Sequence, residues 1–121
     1  MTGTRYTAGD ADERPWGNWR VVDAGDGFAV KRITVRPGAK LSLQYHRGRD
    51  EHWIVVAGRA RVTCGDAQLD LGANETVFIQ NGVKHRVENI GISELVFIEV
   101  QTGTLLDEAD IVRIEDDYQR A

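Results

Sequence analysis

The sequence predicts an all-β fold, an antiparallel sandwich or barrel, and three observations carry that expectation. Short runs rich in Val, Ile, Phe and Trp recur from residue 18 to residue 101 and return at 111–114. Turn sequences separate them, AGDG at 24–27, RPGA at 36–39, RGRD at 47–50 and CGDA at 64–67, and these supply the residue types that tight turns need. The runs follow one another at roughly eight to twelve residues, the interval of hairpin-connected strands rather than of strands alternating with helices.

Taken in order, residues 1–13, MTGTRYTAGDADE, are small, polar and acidic without a hydrophobic period. They are expected to form a flexible arm, mobile or draped over a neighbour, with the folded domain running from 14 to 121. Strands are expected at 18–23, 28–36, 41–46, 51–57, 59–64, 67–71, 76–79, 84–89, 94–101 and 111–114, where β-branched and aromatic residues concentrate. A helical turn is expected near LLDEAD at 105–110 and a short helical piece around EDDYQRA at the C-terminus.

A chain of 121 residues fits one core. Fifteen basic against nineteen acidic residues give a net charge of −4, which offers no general attraction to nucleic acid or to an anionic membrane. No run approaches the roughly 18–20 apolar residues of a spanning helix. The single cysteine, Cys64, has no partner for an internal disulfide and the N-terminus lacks an apolar signal region, so a cytoplasmic location is expected. Cys64 reads as a structural thiol, and the sequon Asn74-Glu75-Thr76 as part of a turn.

Side chains alternate across a strand, so Ser42, Gln44 and His46 share one face. After the RGRD turn, Glu51, Trp53 and Val55 share a face and His52 falls on the opposite one. A hairpin can thus bring Gln44, His46 and Glu51 to a common point, and His85 opens a later strand after QNGVK. Polar groups aimed into a barrel cost several kcal/mol unless partnered, and a metal ion is one such partner. Imidazole, carboxylate and amide donors suit a divalent ion, zinc first, with manganese, iron, cobalt or nickel as alternatives.

The spacing of these residues resembles the cupin family. Gly38, Gln44, His46, Glu51 and Gly58 follow the first cupin motif, with Gln at the first ligand position. Gly82, His85 and Asn89 follow the second, with Gln80 where the family usually has proline and Asn74 where it usually has glycine. The resemblance implies a double-stranded β-helix, a jelly-roll barrel, with Gln44, His46, Glu51 and His85 as metal ligands.

A narrower resemblance spans about residues 14–120. RPWGNW at 14–19, VKRITVRPGAKLSLQYH at 30–46, EHWIVVAGRARV at 51–62, NGVKHRVEN at 81–89, IEVQTG at 98–103 and DIVRIEDDYQR at 110–120 are similar to the C-terminal isomerase domain of type II mannose-6-phosphate isomerases. That domain is usually fused to a mannose-1-phosphate guanylyltransferase serving GDP-mannose synthesis. No glycine-rich phosphate loop of the Walker type occurs here, so a free-standing domain is expected. Where QMHHHRAEHW is common in the family, this chain has QYHRGRDEHW: Arg49 keeps the family's arginine position, and Arg47 and Gly48 replace two histidines.

The resemblance implies interconversion of mannose 6-phosphate and fructose 6-phosphate through a cis-enediol, with a divalent metal as electrophile. Arg49 is then expected to orient substrate or stabilise the enediolate, since a guanidinium stays protonated and is a poor base. Glu51, or a hydroxide held by the metal, is the expected proton shuttle. Lys84, Arg86, Arg32 and Arg113 are candidates for the phosphate, because Arg forks and Lys point charges both suit it. Trp16, Trp19 and Trp53 read as core aromatics, with Trp53 able to line the sugar pocket. Two other functions fit a cupin, an iron dioxygenase and a non-catalytic sugar-phosphate binder, since fold does not dictate function. The expected partners are a small sugar phosphate and a second copy of the chain in a homodimer.

Overall fold

A computed structural model describes residues 3–115. Thirteen strands follow in order: β1 Gly3–Thr4, β2 Ala11–Arg14, β3 Gly17–Gly25, β4 Phe28–Val35, β5 Leu43–Tyr45, β6 Arg49–Ala57, β7 Ala60–Cys64, β8 Ala67–Leu71, β9 Thr76–Ile79, β10 His85–Asn89, β11 Leu95–Gly103, β12 Leu105–Leu106 and β13 Val112–Glu115. A 3₁₀ turn at Glu108–Asp110 falls where a helical turn was expected. The C-terminal helical piece was expected to start at Glu115, which instead ends β13; residues 116–121 lie outside the described residues. Among the described residues no helix is long and apolar enough to cross a membrane.

Two antiparallel sheets make the barrel. One runs β13-β5-β10-β7-β8, the other β2-β3-β4-β11-β6-β9. Their inner faces share one core, with Val62, Leu71 and Val87 from the first against Trp19, Ile33, Trp53, Val55 and Phe97 from the second. Each large apolar side chain so buried contributes about 1.5–3 kcal/mol of transfer free energy.

Strict alternation decides what faces in. In β6, Glu51, Trp53 and Val55 are buried while His52, Ile54 and Val56 are exposed. In β4 the buried set is Ala29, Lys31, Ile33 and Val35; in β11 it is Leu95, Phe97, Glu99 and Gln101; in β10 it is His85, Val87 and Asn89. His52, on the outer face, packs its ring 4.5 Å from that of Phe78. Asn89 ties the sheets together, donating to the carbonyls of Val35 and Ser93.

Residues 3–13, part of the arm expected to be mobile or draped over a neighbour, lie against the chain's own barrel. β1 pairs in parallel with β12, β2 pairs with β3, and Tyr6 is buried. Strands of two and four residues are too short to print a period on a sequence. Their contacts come from the tertiary fold.

Two turns need particular backbone conformations. Asn74, with φ 71°, takes the left-handed conformation in the turn where the cupin pattern usually has glycine, and asparagine tolerates that region better than most residues. Gly103, at φ 157°, lies so close to the start of β6 that a Cβ there would sit 2.2 Å from the carbonyl oxygen of Gly48. That approach seats the end of β11 on the hairpin that carries the site.

Candidate metal centre

Three inward positions carry groups that a sheet interior seldom holds. His46 follows β5, Glu51 lies on β6 and His85 opens β10, and all three are buried. His85 stands directly across from Gln44, and Glu51 is flanked by Ile79 and Gln101. His46 Nε2 is 3.1 Å from His85 Nε2 and 3.0 Å from Glu51 Oε2, and His85 Nε2 is 3.9 Å from Glu51 Oε1.

His85 is set up as a ligand. Its Nδ1 lies 2.9 Å from the carbonyl of Val83, and a carbonyl only accepts, so Nδ1 carries the proton. Burial pushes the ring below its ordinary pKa, against the opposing charge of Glu51. A neutral ring protonated at Nδ1 presents the Nε2 lone pair to the cluster. His46 Nδ1 is buried without a hydrogen-bond partner.

His46, Glu51 and His85 could hold a metal ion, their ligand atoms lying within 4.8 Å of one another. Donors sharing an ion at about 2.1 Å stand roughly 3.0–3.4 Å apart, and the observed spacings bracket that range. The residues therefore fit a divalent cation.

Glu51 is held ionised. Burial alone would raise its pKa, but Arg49, then His46 and His85, hold it well below the usual carboxylate range. Arg49 donates from Nε to Glu51 Oε2 at 2.9 Å, and Trp53 donates from Nε1 to Oε1 at 3.0 Å. The rest of the Arg49 guanidinium reaches the Asp107 carbonyl at 3.2 Å and the Tyr6 hydroxyl at 3.4 Å.

The cluster adjoins a solvent-open cavity between the sheets. His46, Glu51 and His85 are not in its wall, but Gln44, Arg49 and Trp53, which neighbour or touch them, are. Trp16, Trp19, Ile33 and Phe97 form its apolar side, and Arg14, Lys31, Arg113, Glu99 and Glu108 its charged side. Gln44 is half-buried and accepts a hydrogen bond from Ser42 Oγ through Oε1 at 2.8 Å.

Of the four cations expected to meet a phosphate, the structure brings only Arg113 to the cavity. Arg32 and Lys84 are exposed, and Arg86 is turned to the Leu41 and Glu115 carbonyls. Parity sets these positions. In β4 the inward positions are odd-numbered, so Lys31 enters and Arg32 leaves; in β10 His85, Val87 and Asn89 enter and Arg86 faces out. The alternation that turns Glu51 inward in β6 turns Lys31 inward in β4.

Other cavity residues were also passed over. Glu99 alternates with Phe97 on the inner face of β11, and burial, reinforced by the charge of Glu51, pushes its carboxyl up to about 8. Gln101 donates to it at 2.6 Å. A lone acid inside LVFIEVQ was the available signal. Tyr6 and Glu108 come from segments without a period, and nothing local marked them.

Comparison with known proteins agrees with this geometry. Residues 5–116 match the family model described as mannose-6-phosphate isomerase C-terminal. The chain is 56% identical over 107 residues to the xanthan biosynthesis protein XanB of Xanthomonas campestris pv. campestris, covering 88% of this chain and 23% of the relative. It is 52% identical over 107 residues to the alginate biosynthesis protein AlgA of Pseudomonas aeruginosa and 51% identical over 107 residues to the mannose-1-phosphate guanylyltransferase ManC of Salmonella typhimurium, covering 88% of this chain and 22% of each. It thus spans less than a quarter of the length of those relatives.

Among solved structures, Bacillus subtilis oxalate decarboxylase, described with Mn(II) centres, superposes with a TM-score of 0.74 at 25% identity, covering 84% of this chain and 29% of that one. A double-stranded β-helix protein of Klebsiella pneumoniae superposes with a TM-score of 0.70 at 20% identity over 93% of this chain and 91% of its own, and shares the fold. This chain is a cupin and belongs to the mannose-6-phosphate isomerase C-terminal family.

Proposed function

We propose that this chain is a metal-dependent aldose–ketose isomerase that interconverts mannose 6-phosphate and fructose 6-phosphate through a cis-enediol. One observation carries the reading: a buried cluster of two imidazoles and a carboxylate adjoins a cavity whose wall holds Arg14, Lys31, Arg49 and Arg113. Gln44, His46, Glu51 and His85 would hold the divalent ion, zinc first. Such an ion supplies Lewis acidity to the sugar oxygens on which enediolate charge develops.

The side chains divide the remaining work. Arg49, fixed by Glu51 and the Asp107 carbonyl, presents a permanent positive charge in a dry wall, where it stabilises a developing oxyanion more than it would in water. Trp53 pins Glu51 from the other side and packs on Phe97.

A carboxyl must take the proton from C2 of the open-chain aldose as the C1 oxygen gains one. It returns the proton to C1 as the hydroxyl on C2 gives its proton up, which leaves the ketose. Glu51 and Glu99 are the acids near the cluster. Glu51 is engaged by Arg49 and Trp53, whereas Glu99 lines the cavity itself, and we assign the transfer to the ionised form of Glu99, the minority form at neutral pH because burial raises its pKa to about 8.

The test is a coupled assay of mannose 6-phosphate to fructose 6-phosphate on the chain reconstituted with each divalent metal in turn. Interconversion that disappears with chelation is the expected result. A folded, metal-loaded chain that binds the sugar phosphate and leaves it unchanged overturns the isomerase reading.

A further inference from the structure

An ammonium in an apolar interior costs several kcal/mol unless it is paired. Lys31 is buried on the inner face of β4 with its Nζ 4.2 Å from the ring centre of Tyr6 and 4.3 Å from that of Trp19. Its counter-charge does not come from the sheet. Glu108, on the 3₁₀ turn at the cavity wall, reaches in and accepts from Lys31 Nζ at 2.7 Å and from the Tyr6 hydroxyl. Arg14 Nη2 stands 3.7 Å from the other oxygen of the same carboxylate and 3.2 Å from Asp12 Oδ2, a half-exposed carboxylate at the rim.

The result is a cradle of two cations and a phenol around one carboxylate. Burial pushes Glu108 up, but Lys31 and the hydrogen bonds it receives hold it below its ordinary value. The cradle therefore contains a true anion. Arg14, Lys31 and Glu108 all line the cavity that adjoins the metal cluster, and contacts through Tyr6 and Arg49 join Glu108 to Glu51. Unlike the cations, which sit on strands, Glu108 is carried by a three-residue turn, and like Arg14 but unlike Lys31 it keeps about a quarter of its side chain in solvent. It is the member of the set that can leave.

We propose that Arg14, Lys31 and Tyr6 form the seat of the substrate's phosphate, and that Glu108 occupies this seat as an exchangeable internal anion until phosphate replaces it. A phosphate offers more acceptor oxygens and a greater charge than a carboxylate, and both Arg and Lys bind it well. The identity of the substrate rests on the isomerase reading; the preference of the seat for an oxyanion does not. Free phosphate and a sugar phosphate share the recognised chemistry, and the two arms of the test separate them.

In the first arm, inorganic phosphate is titrated by calorimetry into the metal-loaded full chain, its Glu108→Gln variant and its Arg14→Gln variant. The glutamine carbonyl can still accept from Lys31, so Glu108→Gln should fold, and thermal melts check both variants. Removing the competing charge should tighten phosphate binding about tenfold, and Arg14→Gln should weaken it about tenfold, the scale of one hydrogen bond to a charged group. Equal affinity in all three proteins overturns the seat, whatever the isomerase activity.

In the second arm, Arg14→Gln should raise KM for mannose 6-phosphate about tenfold and by more than it lowers kcat; an unchanged KM in an active enzyme overturns the seat. If the phosphate pattern appears without any isomerisation, the seat stands and the isomerase reading falls.

Discussion

Replacing Arg49 by Met tests the electrostatic logic of the site because it removes a charge and keeps most of an aliphatic stem. Arg49 and Glu51 have side chains only 2% and 1% exposed and are joined by a 2.9 Å hydrogen bond. Deleting one partner of such a pair leaves the other charged and desolvated, at a cost of about 3–5 kcal/mol. Trp53 still donates to Glu51, which favours the lower part of that range, while the lost contacts to Asp107 and Tyr6 at 3.2 and 3.4 Å add little.

For a domain of this size, about 4 °C per kcal/mol gives a melting point roughly 12–16 °C below that of the parent in chelator. A bound divalent ion neutralises Glu51 independently of Arg49, so the deficit should shrink by about half in the loaded protein. Calorimetric melts with and without metal, on the parent, Arg49→Met, Glu51→Gln and the double variant, give the coupling directly. A metal-free Arg49→Met protein within about 1 kcal/mol of the parent, or strictly additive losses in the cycle, would refute the reasoning.

Three further outcomes are expected. Glu99→Gln should retain metal by elemental analysis and lower kcat about 10²-fold or more, the scale of losing a positioned acid–base group, and a parental rate would reject Glu99 as the proton carrier. Gly48→His should cost about 1–3 kcal/mol in urea unfolding through overpacking, because a Cβ there would lie 2.4 Å from that of Leu105; adding Leu105→Gly, which removes that Cβ, should recover part of it relative to Leu105→Gly alone, and additive losses would disprove the clash. Lys31 holds Glu108 low, so that pair contributes stability above the unfolded carboxylate pKa of about 4.3 and loses it as pH falls through the folded value. The stability gap between the parent and Glu108→Gln, widest above about pH 5, should therefore close in acid, and a gap independent of pH would count against the pairing.

Most of the barrel was legible because its strands advertise a two-residue period. The same period set His52 apart from Glu51, and the exposed ring against Phe78 follows it. Charge alone does not carry that information: Arg32, Lys84 and Arg86 lie off the cavity while Lys31, on the inward parity of β4, lies in its wall. Tyr6 and Glu108 were illegible for another reason. Each sits on a short segment whose position is set by contacts far away in sequence, Tyr6 beside Lys31 and Trp19, and Glu108 opposite Arg14. No local pattern encodes such a meeting.

The 3₁₀ turn explains why these late-arriving residues belong to the site rather than to its edge. The Asp107 carbonyl accepts from Arg49, Glu108 fills the Lys31 cradle, and Asp110 Oδ2 accepts from the backbone of Arg47 at 3.1 Å and of Gly48 at 2.9 Å. One short turn thus grips the cation cradle at one point and the hairpin of the candidate ligands His46 and Glu51 at two others. The strands beneath are held by continuous ladders and a shared core, whereas the 46–49 loop is held by these bonds together with those its His46 carbonyl accepts from Gly82 and its Gly48 carbonyl from Thr104 and Leu105. An anion that displaces Glu108 consequently pulls on the same turn that positions Arg49. Gly48, which replaces a histidine common in the family, lies where Leu105 would meet any larger side chain, so this chain's departure from its relatives falls at the joint between the phosphate seat and the metal hairpin.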